Sequence, residues 1–591
     1  MILLLLLLFA TTMSVAQNPT VRYTLSMPNP SSHLLEVEFA LDGLPEGGAG
    51  IDLLLPVWRP GRYQVLDLAS GVVSFSVTDA DGHALAWSKT EKSRWHVERG
   101  AARSVRARYT VYANEFSLRT RGLNDEHAFV DGAAAFLYAE EYRALPVELE
   151  VRPYKDWHVT TGLEGGGTRF HAPDYDTFID CPLEIGTQAD IPFEVEGVPH
   201  VLSIAGSGNY DTAVLVRDIT KIVETTKAMW GSFPYRRYVF LVHCSPTSGG
   251  GTEHVNSTIM GTRPYIFKNP ESYRSFLSLV AHEYFHTWNV KQLRPKGITP
   301  YDYTRENYTG ELWVSEGTTS YYDELLLVRA GLATPEKYLE VVQAAVMGDR
   351  ARPGNTVQPL SSSSFDAWIK YTKMNQQAYN TESDFYDKGS SVSLLLDLEI
   401  RQASANARSL DDVLRSLALR FPLGAGFDQT DLLRACTEAA GKEMAPFFAS
   451  YVDGTEPLPW ERVLGYAGIE LVRKDSVARP WIGLASSDAD GRTRVTRVVA
   501  GSPAAAAGID PGDEIVALNG VRARTADVTD RVAELKPGDR VRLTLFRNDQ
   551  LREAVLTVGT QPVPALAARR VASPSEMQRA IYQGWLRADW K

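Results

Sequence analysis

Val280-Ala281-His282-Glu283-Tyr284-Phe285-His286-Thr287-Trp288 places two histidines four residues apart, with a glutamate directly after the first. In an α-helix, residues i and i+4 share a face, so His282 and His286 would offer two imidazole nitrogens to one metal ion. Glu283 would then stand beside the ion without ligating it, where a zinc peptidase needs a carboxylate to accept a proton from water. The plain alternative is a pair of surface histidines that happen to share a face. A tetrahedral zinc keeps one position open for water and still needs a third protein ligand. A histidine in an H-E-x-x-H-x-x-G-x-x-H run is excluded, because Asn289 stands at the required glycine and Gln292 at the third histidine. Downstream, Leu312-Trp313-Val314-Ser315-Glu316-Gly317 supplies Glu316, thirty residues after His286 and at the start of an apolar helix. Glu316 is the expected third ligand, although a carboxylate at a helix start also serves the macrodipole without any metal.

The chain on either side changes periodicity twice, which predicts a multidomain α+β protein. Its 591 residues allow several domains, each with its own core. Met1 to Ala16 begins with an apolar run and ends Ser14-Val15-Ala16, the pattern of a secretory signal peptide; an uncleaved anchor is the alternative. Residues 17–178 alternate in short runs such as Leu34-Leu35-Glu36-Val37-Glu38-Phe39-Ala40-Leu41, predicting an antiparallel β domain. Residues 179–466 bring helical spacing from Asp211 to Trp230, a buried strand Tyr238 to His243, and the Gly-rich run Ser248-Gly249-Gly250-Gly251 before Thr252-Glu253-His254. From about residue 271 this part is mostly helical, with Tyr321 to Ala330, Pro335 to Met347 and Ser390 to Gln402 the clearest helices and a loop near Ser361 to Thr381.

Residues 467–560 carry Gly501-Ser502-Pro503-Ala504 and, later, Gly512-Asp513-Glu514-Ile515-Val516-Ala517-Leu518-Asn519-Gly520. These two elements, in this order, resemble a PDZ domain of the protease-associated type. Such domains bind extended chain ends by adding a strand to an open sheet edge, and Trp481-Ile482-Gly483-Leu484 would be the loop that meets a terminal carboxylate. A fold kept only for orientation is the alternative. Residues 561–591 form a tail, Pro- and Ala-rich and then helical from Ser575 to Trp590.

His282 to Trp288, Trp313 to Gly317, the Gly-rich run ending at Glu253, and Tyr386-Asp387-Lys388-Gly389 together resemble the gluzincin aminopeptidases. With the β-rich amino-terminal domain and the PDZ domain, the whole order is most similar to the glycyl aminopeptidase family. That resemblance implies a thermolysin-like catalytic domain, one Zn(2+) ion and a preference for small amino-terminal residues such as Gly or Ala. It also implies that Glu253, matching the glutamate of a G-x-M-E-N element, holds the ammonium of a peptide's free amino terminus. His254 and Thr252 depart from that element. Tyr386, matching the tyrosine of Y-x-K-G, would donate to the oxyanion formed at the scissile carbonyl.

Net charge of -11 and a pI near 5.6 give a nucleic-acid partner no electrostatic support. Cys181, Cys244 and Cys436 are odd in number and widely spaced, which favours buried free thiols over a disulfide framework. The expected protein is exported, periplasmic or secreted, with no membrane span after signal cleavage. Its expected partners are peptides with a free amino terminus and, at the PDZ domain, a peptide or protein carboxyl terminus. Two rivals share the motifs: a PDZ-bearing zinc endopeptidase of exported protein quality control, and a non-catalytic peptide-binding scaffold.

Overall fold

The computed structural model describes residues 18–48, 50–474 and 479–590; the expected signal peptide, residues 1–16, lies outside them. No helix among the described residues is long and apolar enough to cross a membrane. The described residues form two compact units, one of those up to residue 59 with 66–190 and 203–205, the other of residues 60–65, 191–202 and those from 206 onward.

The first unit is built on a seven-stranded sheet whose centre is Val147–Arg152, Thr20–Ser26, Leu34–Asp42 and Ser104–Tyr112 in that order. Alternation decides the register. Leu35, Val37, Phe39 and Leu41 all face the core, and Phe39 and Leu41 sit opposite the buried Ala107 and Val105. The sheet is not wholly antiparallel as the sequence suggests, because Thr20–Ser26 pairs in parallel with Val147–Arg152. A parallel pair needs a long crossover, and the residues between those two strands provide it.

In the second unit, the strands Tyr238–Cys244, Ser257–Thr262 and Gly250–Glu253 lie side by side at one end of a five-stranded sheet. Tyr238–Cys244 is buried throughout, as its continuous apolar run predicts. The histidine helix spans Pro270–Phe285; Asn269 caps it by accepting from the Ser272 N–H, and Pro270 opens it. Phe276, Val280 and Tyr284 make one buried row at i, i+4, and Leu277, Ala281 and Phe285 a second. Further helices run Thr319–Arg329, Pro335–Ala351 and Asp387–Ala403. The stretch read as a loop from Ser361 to Thr381 contains short helices at Leu360–Phe365, Ala367–Lys370 and Ala378–Thr381. Segments of four to six residues are too short to show a period.

The PDZ region is an excursion from the helical part. Ile469–Arg473 leaves it and pairs antiparallel with the returning strand Leu566–Arg570. Between them, a sheet ordered Leu484–Ala489, Arg492–Val498, Glu514–Leu518, Arg540–Arg547, Gln550–Thr557 encloses a core that includes Ile482, Val495, Ile515, Val528 and Leu543. Asn380 ties this region to the helical part: its side chain donates to Val498 O at 2.9 Å and accepts from the Ala500 N–H at 2.9 Å. The tail returns to the helices. Glu576–Leu586 is capped by Ser575 and buries Ile581, Tyr582, Trp585 and Leu586, while the Trp585 indole donates to the Tyr321 hydroxyl at 3.0 Å. Cys181, Cys244 and Cys436 are all buried.

Candidate metal and peptide site

The end of the histidine helix and the start of the next helical segment bring three ligand atoms together. His282 Nε2 and His286 Nε2 are 3.1 Å apart, and Glu316 Oε2 stands 3.3 Å from His286 Nε2 and 3.8 Å from His282 Nε2. Ligands about 2.0 to 2.1 Å from a tetrahedral zinc are separated by about 3.3 Å, so this triangle fits such an ion. Both rings have their other nitrogen occupied, which turns Nε2 toward the common point. His282 Nδ1 donates to Asp323 Oδ2 at 3.2 Å, and His286 Nδ1 donates to the Asn289 carbonyl at 2.8 Å.

Glu316 lies in a π-helical turn, Trp313–Thr318, a local widening that is frequent at functional sites. Asn289 fixes that turn. Its side-chain amide donates to Val314 O at 2.8 Å, to Ser315 O at 3.3 Å and to Thr319 Oγ1 at 3.1 Å. One residue thus orients a histidine with its carbonyl and the glutamate's turn with its side chain. The glycine after Glu316 has a steric purpose as well: a Cβ on Gly317 would meet Gly389 Cα at 2.6 Å and Phe385 O at 2.5 Å. That close approach brings the Glu316 turn against the segment that carries Tyr386.

The electrostatics follow from burial and proximity. Burial alone would raise the Glu316 carboxyl, but His286 and His282 outweigh it and hold the group well below the usual carboxylate range. Burial opposes charging of the two histidines, yet Asp323 and Glu316 raise His282, and Glu316 raises His286. Glu283 is pushed up to about 7 by burial, and the two histidines only partly offset that rise. Tyr386 stays a phenol, raised by burial and by the charge on Glu316. Its ring lies nearly parallel to that of His282, with centroids 6.3 Å apart.

Glu253, at the end of the edge strand Gly250–Glu253, is only 4% exposed, and its Oε1 has no hydrogen-bond partner among the described residues. Carboxylate oxygens of Glu253 and Glu283 and a ring nitrogen of His286 all lie within 4.8 Å of one another. His254 is buried, with its backbone N–H donating to Ser257 O at 3.0 Å. In the PDZ region, Ile482 is buried in the core, Gly483 has a left-handed φ of 77°, and Leu484 begins the open edge strand. Together with Trp481, Val528 and Val532 they line a groove of about 650 Å³ between that strand and the helix Thr525–Ala533.

Three contributors were not evident from the sequence. Asp323 lies two helical turns beyond Glu316, a spacing that could have marked it as sharing a face. In the sequence Asn289 stands out only as the residue that breaks a third-histidine pattern. Tyr63, whose hydroxyl donates to Glu316 Oε1 at 3.0 Å, lies 253 residues away along the chain and carries no local signal.

Residues 22–187 match the Peptidase M61 N-terminal domain, residues 275–392 match M61 glycyl aminopeptidase, and residues 480–558 match a PDZ domain. A crystal structure of an aminopeptidase N family protein from Idiomarina loihiensis is 28% identical and superposes with a TM-score of 0.89, covering 96% of this chain and 100% of that one. An M1 zinc metallopeptidase from Deinococcus radiodurans, 17% identical, aligns over 75% of this chain and 96% of that one with a TM-score of 0.47. Among curated proteins, a probable periplasmic serine endoprotease DegP-like of Rhizobium meliloti is 34% identical over 125 residues, 18% of this chain and 25% of that protein. Its counterpart in Brucella suis is 31% identical over 112 residues, 16% of this chain and 21% of that protein. The chain therefore spans about a quarter or less of the length of these curated relatives. Residues 22–187 and 275–392 thus carry the N-terminal and catalytic domains of the M61 glycyl aminopeptidase family, followed by a PDZ domain at residues 480–558.

Proposed function

We propose that this protein is a zinc aminopeptidase that releases small amino-terminal residues, Gly or Ala, from peptides in an exported compartment. The observation that carries the reading is Glu253. A buried carboxylate oxygen without a partner is costly in the free protein, and a substrate ammonium is the group that would satisfy it. Its closeness to Glu283 and His286 leaves little room for chain on the amino side of the reacting carbonyl. An enzyme so arranged trims ends.

His282, His286 and Glu316 would hold one zinc ion, which when bound supplies Lewis acidity to water and to the peptide carbonyl. Glu283, beside the histidines without ligating the ion, takes the proton of the attacking water and returns it to the leaving amine. Tyr386 donates its phenol proton as a hydrogen bond to the oxyanion that develops on the carbonyl carbon's oxygen. Glu253 holds the amino end throughout. The products are one free amino acid and a peptide shorter by one residue.

The preference for small residues rests on the family's glycyl aminopeptidase description. Export rests on the leader-like residues 1–16 and on the partial likeness to proteins named as periplasmic. The groove lined by Ile482, Gly483 and Leu484 is read as a site for a chain's carboxyl terminus, since it pairs an open strand edge with an apolar floor. The test compares free-amino and N-acetylated glycyl and alanyl peptides, with and without a chelator. Hydrolysis confined to the free-amino peptides and lost with the chelator is expected. Equal cleavage of the blocked peptides would overturn the aminopeptidase reading.

A further inference from the structure

Pro60–Val65 lies early in the chain, between stretches of the first unit, yet it packs as part of the second. Two of its residues touch the two carboxylates that matter most. The Tyr63 side chain is buried, and its hydroxyl donates to Glu316 Oε1 while Oε2 of the same carboxylate faces the histidines. Trp368 and Phe385 meet the Tyr63 ring edge-on, with centroids 6.3 and 6.4 Å away, which restricts where the hydroxyl can point. Two residues earlier, Gly61 rests against Glu253: a Cβ there would lie 2.6 Å from both carboxylate oxygens. Its φ of 82° is also one that side chains disfavour.

We infer that Pro60–Val65 is a wall of the catalytic site in which Tyr63 positions Glu316 for the metal and Gly61 makes amine recognition at Glu253 sterically possible. A carboxylate ligand has two equivalent oxygens, and a donor on one decides which remains for the ion. Partners of this kind commonly change metal affinity 10- to 100-fold when removed. At Gly61 the effect is one of space. Any side chain displaces the Glu253 carboxylate, and with it the position of a bound ammonium, by distances to which a reacting geometry is sensitive.

This inference rests on the roles proposed above for Glu316 and Glu253, so the experiment separates the two levels. Zinc affinity of the full chain is measured by competition with a chromophoric chelator for wild type, Glu316→Gln and Tyr63→Phe. Tyr63→Phe keeps the ring and loses only the donor. It is expected to bind zinc about 10-fold or more weakly, with the thermal midpoint of the metal-free protein little changed. Wild-type zinc affinity in Tyr63→Phe, while Glu316→Gln is weakened, overturns the Tyr63 assignment alone; no effect of Glu316→Gln overturns the ligand reading and the inference with it. Gly61→Ala is expected to retain zinc affinity and to raise KM for a free-amino glycyl peptide at least about 10-fold. Combined with Glu253→Asp, which withdraws the carboxylate by one methylene, it should cost less than the two single changes together, as contacting residues do. Unchanged KM, or strict additivity in the pair, refutes the Gly61 assignment.

Discussion

Replacing Glu253 with Gln should move activity and stability in opposite directions. In the free protein the carboxylate is almost wholly buried, one oxygen has no hydrogen-bond partner among the described residues, and its charge raises Glu283 nearby. An unsatisfied buried polar group costs about 1 to 3 kcal/mol, and a charged one more. Gln keeps the shape and removes the charge but brings an amide that also wants partners, so a net stabilisation of about 1 kcal/mol is expected. In the complex the same change deletes a charge-assisted hydrogen bond worth about 1.5 to 3 kcal/mol, which lowers kcat/KM for free-amino peptides by about 10- to 150-fold. The assay is kcat/KM on an alanyl peptide beside a denaturant midpoint on the same preparation. If activity and stability fall together, Glu253 is a structural residue and the reasoning fails.

Asn289→Ala strips three acceptors of a shared donor around the Glu316 turn, and should weaken zinc binding about 10-fold; chelator competition giving an affinity within twofold of wild type would count against that role. Trp585→Ala should cost about 3 to 5 kcal/mol in the helical part, because the indole is buried and bonded to Tyr321, and a denaturation shift below about 1 kcal/mol would show that the tail only lies on the surface. His200 is buried, with its pKa lowered to about 4 by burial, while its Nδ1 donates to Val198 O. The folded state then binds fewer protons than the unfolded chain between about pH 4 and 6.5, so stability is full above that window and falls by up to about 3 kcal/mol as pH drops through it; His200→Phe should flatten this slope, and an unchanged slope would place the acid sensitivity elsewhere.

What the sequence could disclose tracks the distance over which its signals act. The histidine helix is legible because i, i+4 spacing is local, and Glu316 because few carboxylates follow an apolar approach at a workable separation. The π-turn that carries Glu316 is not legible, since nothing in Trp313–Thr318 distinguishes a five-residue hydrogen-bond step from a four-residue one. Asn289 acts at 25 and 26 residues through two backbone carbonyls, which have no residue identity to read, and at 30 residues through the Thr319 hydroxyl. Tyr63 is beyond any window. The tail is legible as a helix, yet its partner surface on Tyr321 and Arg329 exists only once the chain has returned along Leu566–Arg570.

The site concentrates the buried Glu253, Glu283 and Glu316 and the half-buried Asp323 against two histidines. Left to themselves, so many carboxylates away from water would be relieved by taking up protons, which is what the raised Glu283 and Asp323 record. Two cations would offset this charge, and the proposed reaction supplies both: a divalent ion at the histidines and Glu316, and an ammonium at Glu253. The two are not interchangeable in timing. The proposed ligands are fixed in advance by Asp323, Asn289 and Tyr63, whereas Glu253 Oε1 has no partner among the described residues. A resident cation calls for a finished cradle, and a visiting one for an acceptor that is paired only on binding. That asymmetry is the physical reason to read Glu316 as holding a cofactor and Glu253 as holding substrate, although both are buried glutamates beside His286.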